Sequence, residues 1–452
     1  MSSSYFALAG ERIAFCRHAQ AAGTIVLAAA LALYGAVVAA NESLTLDAAQ
    51  RLAVERSRHL SAQQSAIVAA REMSVAAEQL PDPVLKFGID SWPINGPHQF
   101  SISGDDFTMG RVGLSQELTG RKKRMLRAQR FEREGETTLA EKAATVAAIE
   151  RDTAIAWIGR YYSETMAAVL ASQVEQANFA ITAADGAYRA GRGEQADVLA
   201  ARAARAEIED RVIDVDRQVL TTKTALARWV GEAAFLPLAD KPDMDFVKVD
   251  HETLEAQVDH HPEIAVLAKR EALAWADVKL TEASKHADWS VELAYAQRGS
   301  GRSDFVSLSL SIPLQWDHKN RQDREVAAKM AMAEQAGAER EEAIRNDVGA
   351  VLTQLQEWES SKKRLANYRN VLLPLGQKRT QATLAAYKSG TAPLTDVLLS
   401  RRDEIDAQLR ALQLEMDTAR LWAQLNFLVP DFELATSGDT PHERAHDTGA
   451  PQ

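Results

Sequence analysis

Tyr188-Arg-Ala-Gly191-Arg-Gly-Glu-Gln-Ala-Asp197-Val-Leu199 and Tyr387-Lys-Ser-Gly390-Thr-Ala-Pro-Leu-Thr-Asp396-Val-Leu398 are two copies of one pattern, Y-x2-G-x5-D-V-L, set 199 residues apart. Each copy lies between two long helical patterns. A glycine at that place suits a helix C-terminus, where a positive φ is often required. The polar residues after it suit the start of a returning helix. Each copy therefore reads as the tip of a helical hairpin. A repeat at close to half the length of a 452-residue chain divides it into two structural halves, 41–243 and 244–430.

Outward from the first tip, Arg121 to Arg189 is one helical pattern without proline. At 1.5 Å per residue it would run about 100 Å, far more than a single globular core needs. The second tip is preceded by a matching pattern, residues 320–388. Pro374 inside it should bend it, because proline lacks an N–H and crowds the preceding turn. Shorter helices return from both tips, over 197–230 and to about Leu428.

Each long helix follows a pair of strands. Residues 84–92 place Leu85, Phe87 and Ile89 on one face, and 107–118 set Val112 and Leu114 against Arg111 and Ser115. In the second half, 290–298 and 304–314 repeat the arrangement. Val306, Leu308, Leu310, Ile312 and Leu314 alternate there with Phe305, Ser307, Ser309 and Ser311. Helical patterns open the halves, over Leu44–Gln79 and over Thr253–Lys285. The second is broken at His260-His261-Pro262. Each half thus reads helix, two strands, very long helix, tip, shorter helix.

The strands have the length of tilted membrane strands, and Trp92, Trp289 and Trp316 stand at their ends. An open sheet edge is not tolerated in lipid, and four strands are too few for a pore of their own. In a membrane, several chains must share one barrel; three would give twelve strands. The other reading is a soluble four-stranded sheet on a helical bundle.

Residues 1–40 read as an export signal: Arg12 and Arg17, then an apolar run from Ala21 to Val38, then small residues at Ala39-Ala40. The competing reading is an uncleaved anchor. Cleavage would start the chain near Asn41 and remove Cys16, the one cysteine. Residues 431–452 read as a disordered tail. A net charge of −11 argues against a nucleic-acid partner.

These features together resemble the TolC family of outer-membrane efflux channels. The resemblance spans about residues 44–430 and is carried by the paired tips and the duplicated order. It implies a mainly α fold with membrane β, duplicated helix–strand–strand–helix halves, and a homotrimer. Three chains would share a 12-stranded β-barrel in outer-membrane lipid, above a long α-helical barrel in the periplasm. It also implies two partners at the tips, a periplasmic adaptor (membrane fusion protein) and an inner-membrane resistance–nodulation–division pump. The stretch from Leu80-Pro-Asp-Pro-Val-Leu-Lys-Phe to Gly113-Leu-Ser-Gln-Glu-Leu118 resembles the branch that exports heavy metals, copper and silver or cobalt, zinc and cadmium. The alternatives are the same channel for drugs and organic compounds, or a periplasmic coiled-coil adaptor or scaffold.

The family resemblance assigns site residues. Asp396 would form a ring of carboxylates at the periplasmic entrance, whereas an ordinary reading is a first-turn helix aspartate. Tyr387 would help hold the entrance closed. Asp197 would lock the first hairpin to the second through an arginine whose place is taken here by Ala392, with Arg192 and Lys388 as candidate substitutes. Gly191, Arg192, Gly390 and Thr391 would meet the adaptor. No enzyme motif and no cofactor site is evident. No metal site is strong either: His260-His261 reads as a helix break, Met330 and Met332 face different ways, and His442 and His446 lie in the tail.

Overall fold

A computed structural model describes residues 43–102, 104–249, 258–299 and 301–429. The export signal with Cys16, the start near Asn41, the first residues of the Thr253–Lys285 pattern, and the tail with His442 and His446 lie outside them.

The first half contains α1 (Leu46–Arg56), α2 (Arg58–Glu78), β1 (Val84–Asp90), β2 (Met109–Leu118), α3 (Arg121–Arg189) and α4 (Gln195–Val230). The second contains α5 (Pro262–Ala283), β3 (Trp289–Arg298), β4 (Phe305–Ser311), α6 (Gln322–Asn367), α7 (Leu373–Lys388) and α8 (Leu394–Asn426). The long helix α3 has the bounds that its pattern implies. The opening helix differs from expectation: it is interrupted at Ser57, whose hydroxyl accepts from the Leu60 N–H at 3.3 Å and starts a new helix.

The other long pattern is also interrupted. The backbone widens to a π turn over Tyr368–Leu372, ahead of Pro374. Proline has no N–H to return to the preceding turn, and a π turn absorbs such a mismatch without ending the helical run. At the His260-His261-Pro262 break, Pro262 occupies the first turn of α5 and His261 precedes it in extended conformation. His260 is exposed. His261 is buried, with Nδ1 2.5 Å from an Asp347 carboxylate oxygen on α6.

The chain divides into two compact units, and both halves contribute to each. One unit holds Thr153–Asp243 and Leu373–Met416 with the chain before Val54. Its core is built on α3. The Trp157 indole N–H donates to the Leu44 carbonyl at 3.0 Å, and the buried Arg160 donates to the carbonyls of Ala234 and Leu236 at 2.6 and 2.8 Å. A parallel bridge between Leu44 and Leu238 sets the start of the opening helix beside the exit from α4. Burial of Trp157, Ile158, Tyr162, Leu170 and Leu226 encloses this junction.

The other unit holds Val54–Asp152, Met244–Leu372 and the chain from Asp417. Here α5 is tied to α3 by Arg130–Asp277 at 2.9 Å and to α6 by Lys329–Asp277 at 3.1 Å. The strands form an antiparallel meander in chain order, β1-β2-β3-β4. Three of the four strands are shorter than expected. Ser91, with φ 58°, turns the chain out of β1, and β4 stops two residues before Pro313, which cannot donate to a ladder.

The register makes the strand alternation continuous across the sheet. Phe87 pairs with Val112, Val112 with Tyr295, and Tyr295 with Val306. Leu85, Leu114, Leu293 and Leu308 form the next row. All of these side chains are exposed, Phe87 to 83% and Leu308 to 75%. The opposite face carries Lys86, Asp90, Arg111, Glu292 and Arg298 among small residues, with Val84, Met109 and Phe305 towards its ends and edges. Glu292 there accepts from Lys86 at 2.7 Å and from Arg111 at 2.5 Å.

Candidate functional site

The two tips are built alike. The N–H of Arg192 donates to the Ala187 carbonyl at 2.9 Å, and that of Gly191 to Tyr188 at 2.9 Å. The N–H of Thr391 donates to Ala386 at 2.9 Å, and that of Gly390 to Tyr387 at 3.0 Å. This pair of bonds closes the carbonyl end of a helix only if the capping residue turns left-handed. Gly191 and Gly390 do so, with φ 69° and 76°. Both glycines are exposed, as are Arg192 and Thr391, so the cap leaves the tips open to a partner. The Thr391 hydroxyl adds a bond to the Ala386 carbonyl at 3.0 Å.

The tips pack on each other within one chain. Ala184 and Val198 of the first hairpin form a buried cluster with Leu394 of the second, and Tyr387, Val397 and Leu398 pack against it. Tyr387 is half-buried in this cluster, whereas its counterpart Tyr188 is exposed. The two aspartates also differ. Asp197 accepts the Glu194 N–H at 3.2 Å and serves as a cap of α4. Asp396 is exposed in the first turn of α8, and its carboxylate has no hydrogen-bond or ion-pair partner among the described residues. A carboxylate left free at the tip can face other charges, its own copies included.

Arg192 and Lys388 are exposed and form no ion pair with Asp197 or Asp396 within the chain. The hairpins are tied elsewhere. Arg211 on α4 pairs with Asp406 on α8, and Arg402 on α8 with Glu207 on α4 at 3.5 Å. These ties lie further along the return helices than the sequence motif reaches, and their spacing gives no signal in either helix alone. A groove of about 640 Å³ opens beside them. Ala180, Ala183 and Ala204 supply a floor of small residues, and Phe179, Leu384 and Leu399 supply apolar walls. The alanine richness of these helices is its one trace in the sequence.

Among the described residues, no group of three or more His, Cys, Asp or Glu could hold a metal ion. Met330 and Met332 are exposed. Among the same residues no helix is long and apolar enough to cross a membrane, which says nothing of the strands.

The meander with one exposed apolar face, joined to helices of this length, can be compared with solved structures. It matches CusC, a protein described by its transmembrane channel formation, with a TM-score of 0.73 over 85% of this chain and 92% of that one, at 14% identity. The fold is that of outer-membrane channels. The outer membrane protein VceC of Vibrio cholerae matches with a TM-score of 0.70 over 86% of this chain and 96% of that one, at 16% identity. The Campylobacter jejuni CmeC outer membrane channel matches with a TM-score of 0.70 over 85% of each chain, at 12% identity. No protein-family model matches the chain, and no curated protein does. The likeness is therefore one of fold.

Proposed function

We propose that this chain is the outer-membrane channel subunit of a tripartite efflux system. Three copies close one barrel of twelve strands, and their hairpin tips form the periplasmic entrance. The observation that carries this reading is the sheet. Two unbroken rows of exposed apolar residues cross one face, while β1 and β4 leave two open edges. In a four-stranded meander β1 and β4 run in opposite directions, so β4 of one copy can pair antiparallel with β1 of the next. Lipid covers the apolar rows, and closure removes the edges that lipid forbids.

The tips are then the docking place of a periplasmic adaptor, with an inner-membrane pump behind it, and Asp396 contributes one carboxylate per chain to the entrance. Heavy-metal cations are the cargo that the strand motif and the likeness to CusC favour; organic compounds are the second reading. The channel is tested by fractionating cells and recording the purified protein in planar bilayers. Recovery from the outer membrane with stepwise conductance supports it. A soluble periplasmic protein without conductance supports an adaptor or scaffold. Cargo is tested by deletion: heightened sensitivity to metal ions supports the first reading, and to organic toxicants the second.

A further inference from the structure

The sheet's two ends differ in charge. Chain segments 79–83, 119–120, 284–288 and 312–321 join the helices to one end, marked by Val84, Leu118, Trp289 and Ser311. From Thr119 to Phe131 the sequence holds Arg121, Lys122, Lys123, Arg124, Arg127 and Arg130, and no acid precedes Glu132. The second half places His318, Lys319, Arg321 and Arg324 at the equivalent point, interleaved there with Asp317, Asp323 and Glu325. In a chain of net charge −11 the first of these runs is a concentration of the minority sign. The first turn of α3 has no acid at all, although the helix dipole favours one there.

Part of this charge is used internally. Lys123 pairs with Asp288 at 2.8 Å, Lys285 with Asp323 at 2.7 Å, and Arg124 donates to the Glu78 carbonyl at 2.9 Å. Arg121, Lys122, Lys319, Arg321 and Arg324 are exposed and form no ion pair within 4.0 Å among the described residues, although Arg324 lies in the field of Asp323. The other acids of the same rim are Glu78, Asp82, Glu117, Glu282, Asp317 and Glu325, and Asp317 is engaged by Asn320 at 3.0 and 3.2 Å. Exposed apolar groups stand beside the free cations: Leu118, Trp289, Leu314 and Trp316, the last 86% exposed. At the sheet's other end Asp90, Asp105, Asp106 and Asp304 accompany Arg111, Arg298 and Arg302, with pairs Arg111–Asp90 and Arg302–Asp106. That end carries no comparable surplus of free cations.

We infer that the helix-side rim of the barrel is a binding collar for anionic phospholipid headgroups. Indoles and leucines enter the interfacial layer while Arg121, Lys122, Lys319, Arg321 and Arg324 meet lipid phosphates. A cation near an anionic lipid surface is worth about a five-fold change in association. The inference rests on the membrane reading above. It adds that the surrounding lipid is selected by charge and that the collar holds the barrel at a fixed depth.

The test is reconstitution of the full protein in vesicles of equal phosphatidylglycerol and phosphatidylethanolamine, with spin-labelled forms of each lipid as probes. Phosphatidylglycerol should associate several-fold more strongly. The preference should fall toward one in the variant Arg121→Gln, Lys122→Gln, Lys319→Gln, Arg321→Gln. It should persist in Lys363→Gln, Arg364→Gln, which removes two exposed cations from α6 further along. Raised salt should weaken it in the unaltered protein, which tests the inference even if the four-fold variant fails to assemble. A protein that inserts with no lipid preference, or whose preference survives both salt and the four-fold change, overturns the collar alone. A protein that does not insert overturns the membrane reading as well.

Discussion

Leu308→Arg tests the assignment of the sheet's faces. Leu308 is the fourth of seven residues in β4, so at 3.3–3.4 Å per residue about 10 Å of strand lies on either side of it. It belongs to the row Leu85–Leu114–Leu293–Leu308 and is largely exposed. If lipid covers that row, its midpoint lies near the bilayer midplane, where an arginine costs about 2–4 kcal/mol. Three copies in one barrel make this about 6–12 kcal/mol, comparable to the whole stability of a domain. Ser309→Arg makes the same change one residue along, on the other face. It lies opposite Glu292 in the register, so the new guanidinium meets a carboxylate and water, and the expected cost is within about 1 kcal/mol. The assay is folding into lipid vesicles, followed by urea titration and by the heat-dependent shift in electrophoretic mobility of barrels. Leu308→Arg should abolish the inserted form and Ser309→Arg should leave it near normal. Equal yields, or a Leu308→Arg protein that is more soluble and fully folded, would show that this face meets water.

Three further outcomes are expected. Asp396→Asn should weaken cation selectivity and divalent block in planar bilayers, because it removes a tip carboxylate that has no partner among the described residues; Asp214→Asn, whose carboxylate pairs with Arg217 on the return helix, is the charge-matched control and should change neither. Arg160→Met should lower stability by about 2–4 kcal/mol in thermal or chemical unfolding, since it strips the buried Ala234 carbonyl and the part-buried Leu236 carbonyl of their donor and leaves Glu164 with Lys223 alone; an unchanged midpoint would refute the role given to this junction. Lys269 and Arg133 hold the Glu136 carboxyl below its usual range, with the Lys269 hydrogen bond the larger cause. A lowered folded pKa gives stability that is present above the unfolded value and is lost as pH falls through the folded one. Lys269→Met should therefore cost stability at neutral pH and cost less below pH of about 4, as read from unfolding midpoints across pH.

Much of this was legible in the sequence because it rests on local rules. The bounds of α3 follow from an uninterrupted helical pattern, and the tips follow from a glycine that must cap. The strand faces follow from alternation, which the register then aligns across all four strands. The rest depends on partners distant in the chain. The break at Ser57 needs a hydroxyl to outcompete helix continuation, and the surrounding pattern does not announce it. The π turn ahead of Pro374 is one of several ways to absorb a proline, and a bend was the expected one. Arg160 lies in a helical pattern like any other arginine; only folding places the Ala234 and Leu236 carbonyls around it. Arg211–Asp406 and Arg402–Glu207 join helices nearly two hundred residues apart, whereas the motif points to Arg192 and Lys388, which form no ion pair with Asp197 or Asp396.

The most direct measurement is the number of chains in the membrane-extracted assembly, by native mass spectrometry, combined with cysteine cross-linking between the outer edges of β1 and β4. Three chains per particle, with cross-links that join β1 only to β4 of another chain, are expected of a shared twelve-stranded barrel. A single chain, or β1 and β4 joined within one chain, would contradict it.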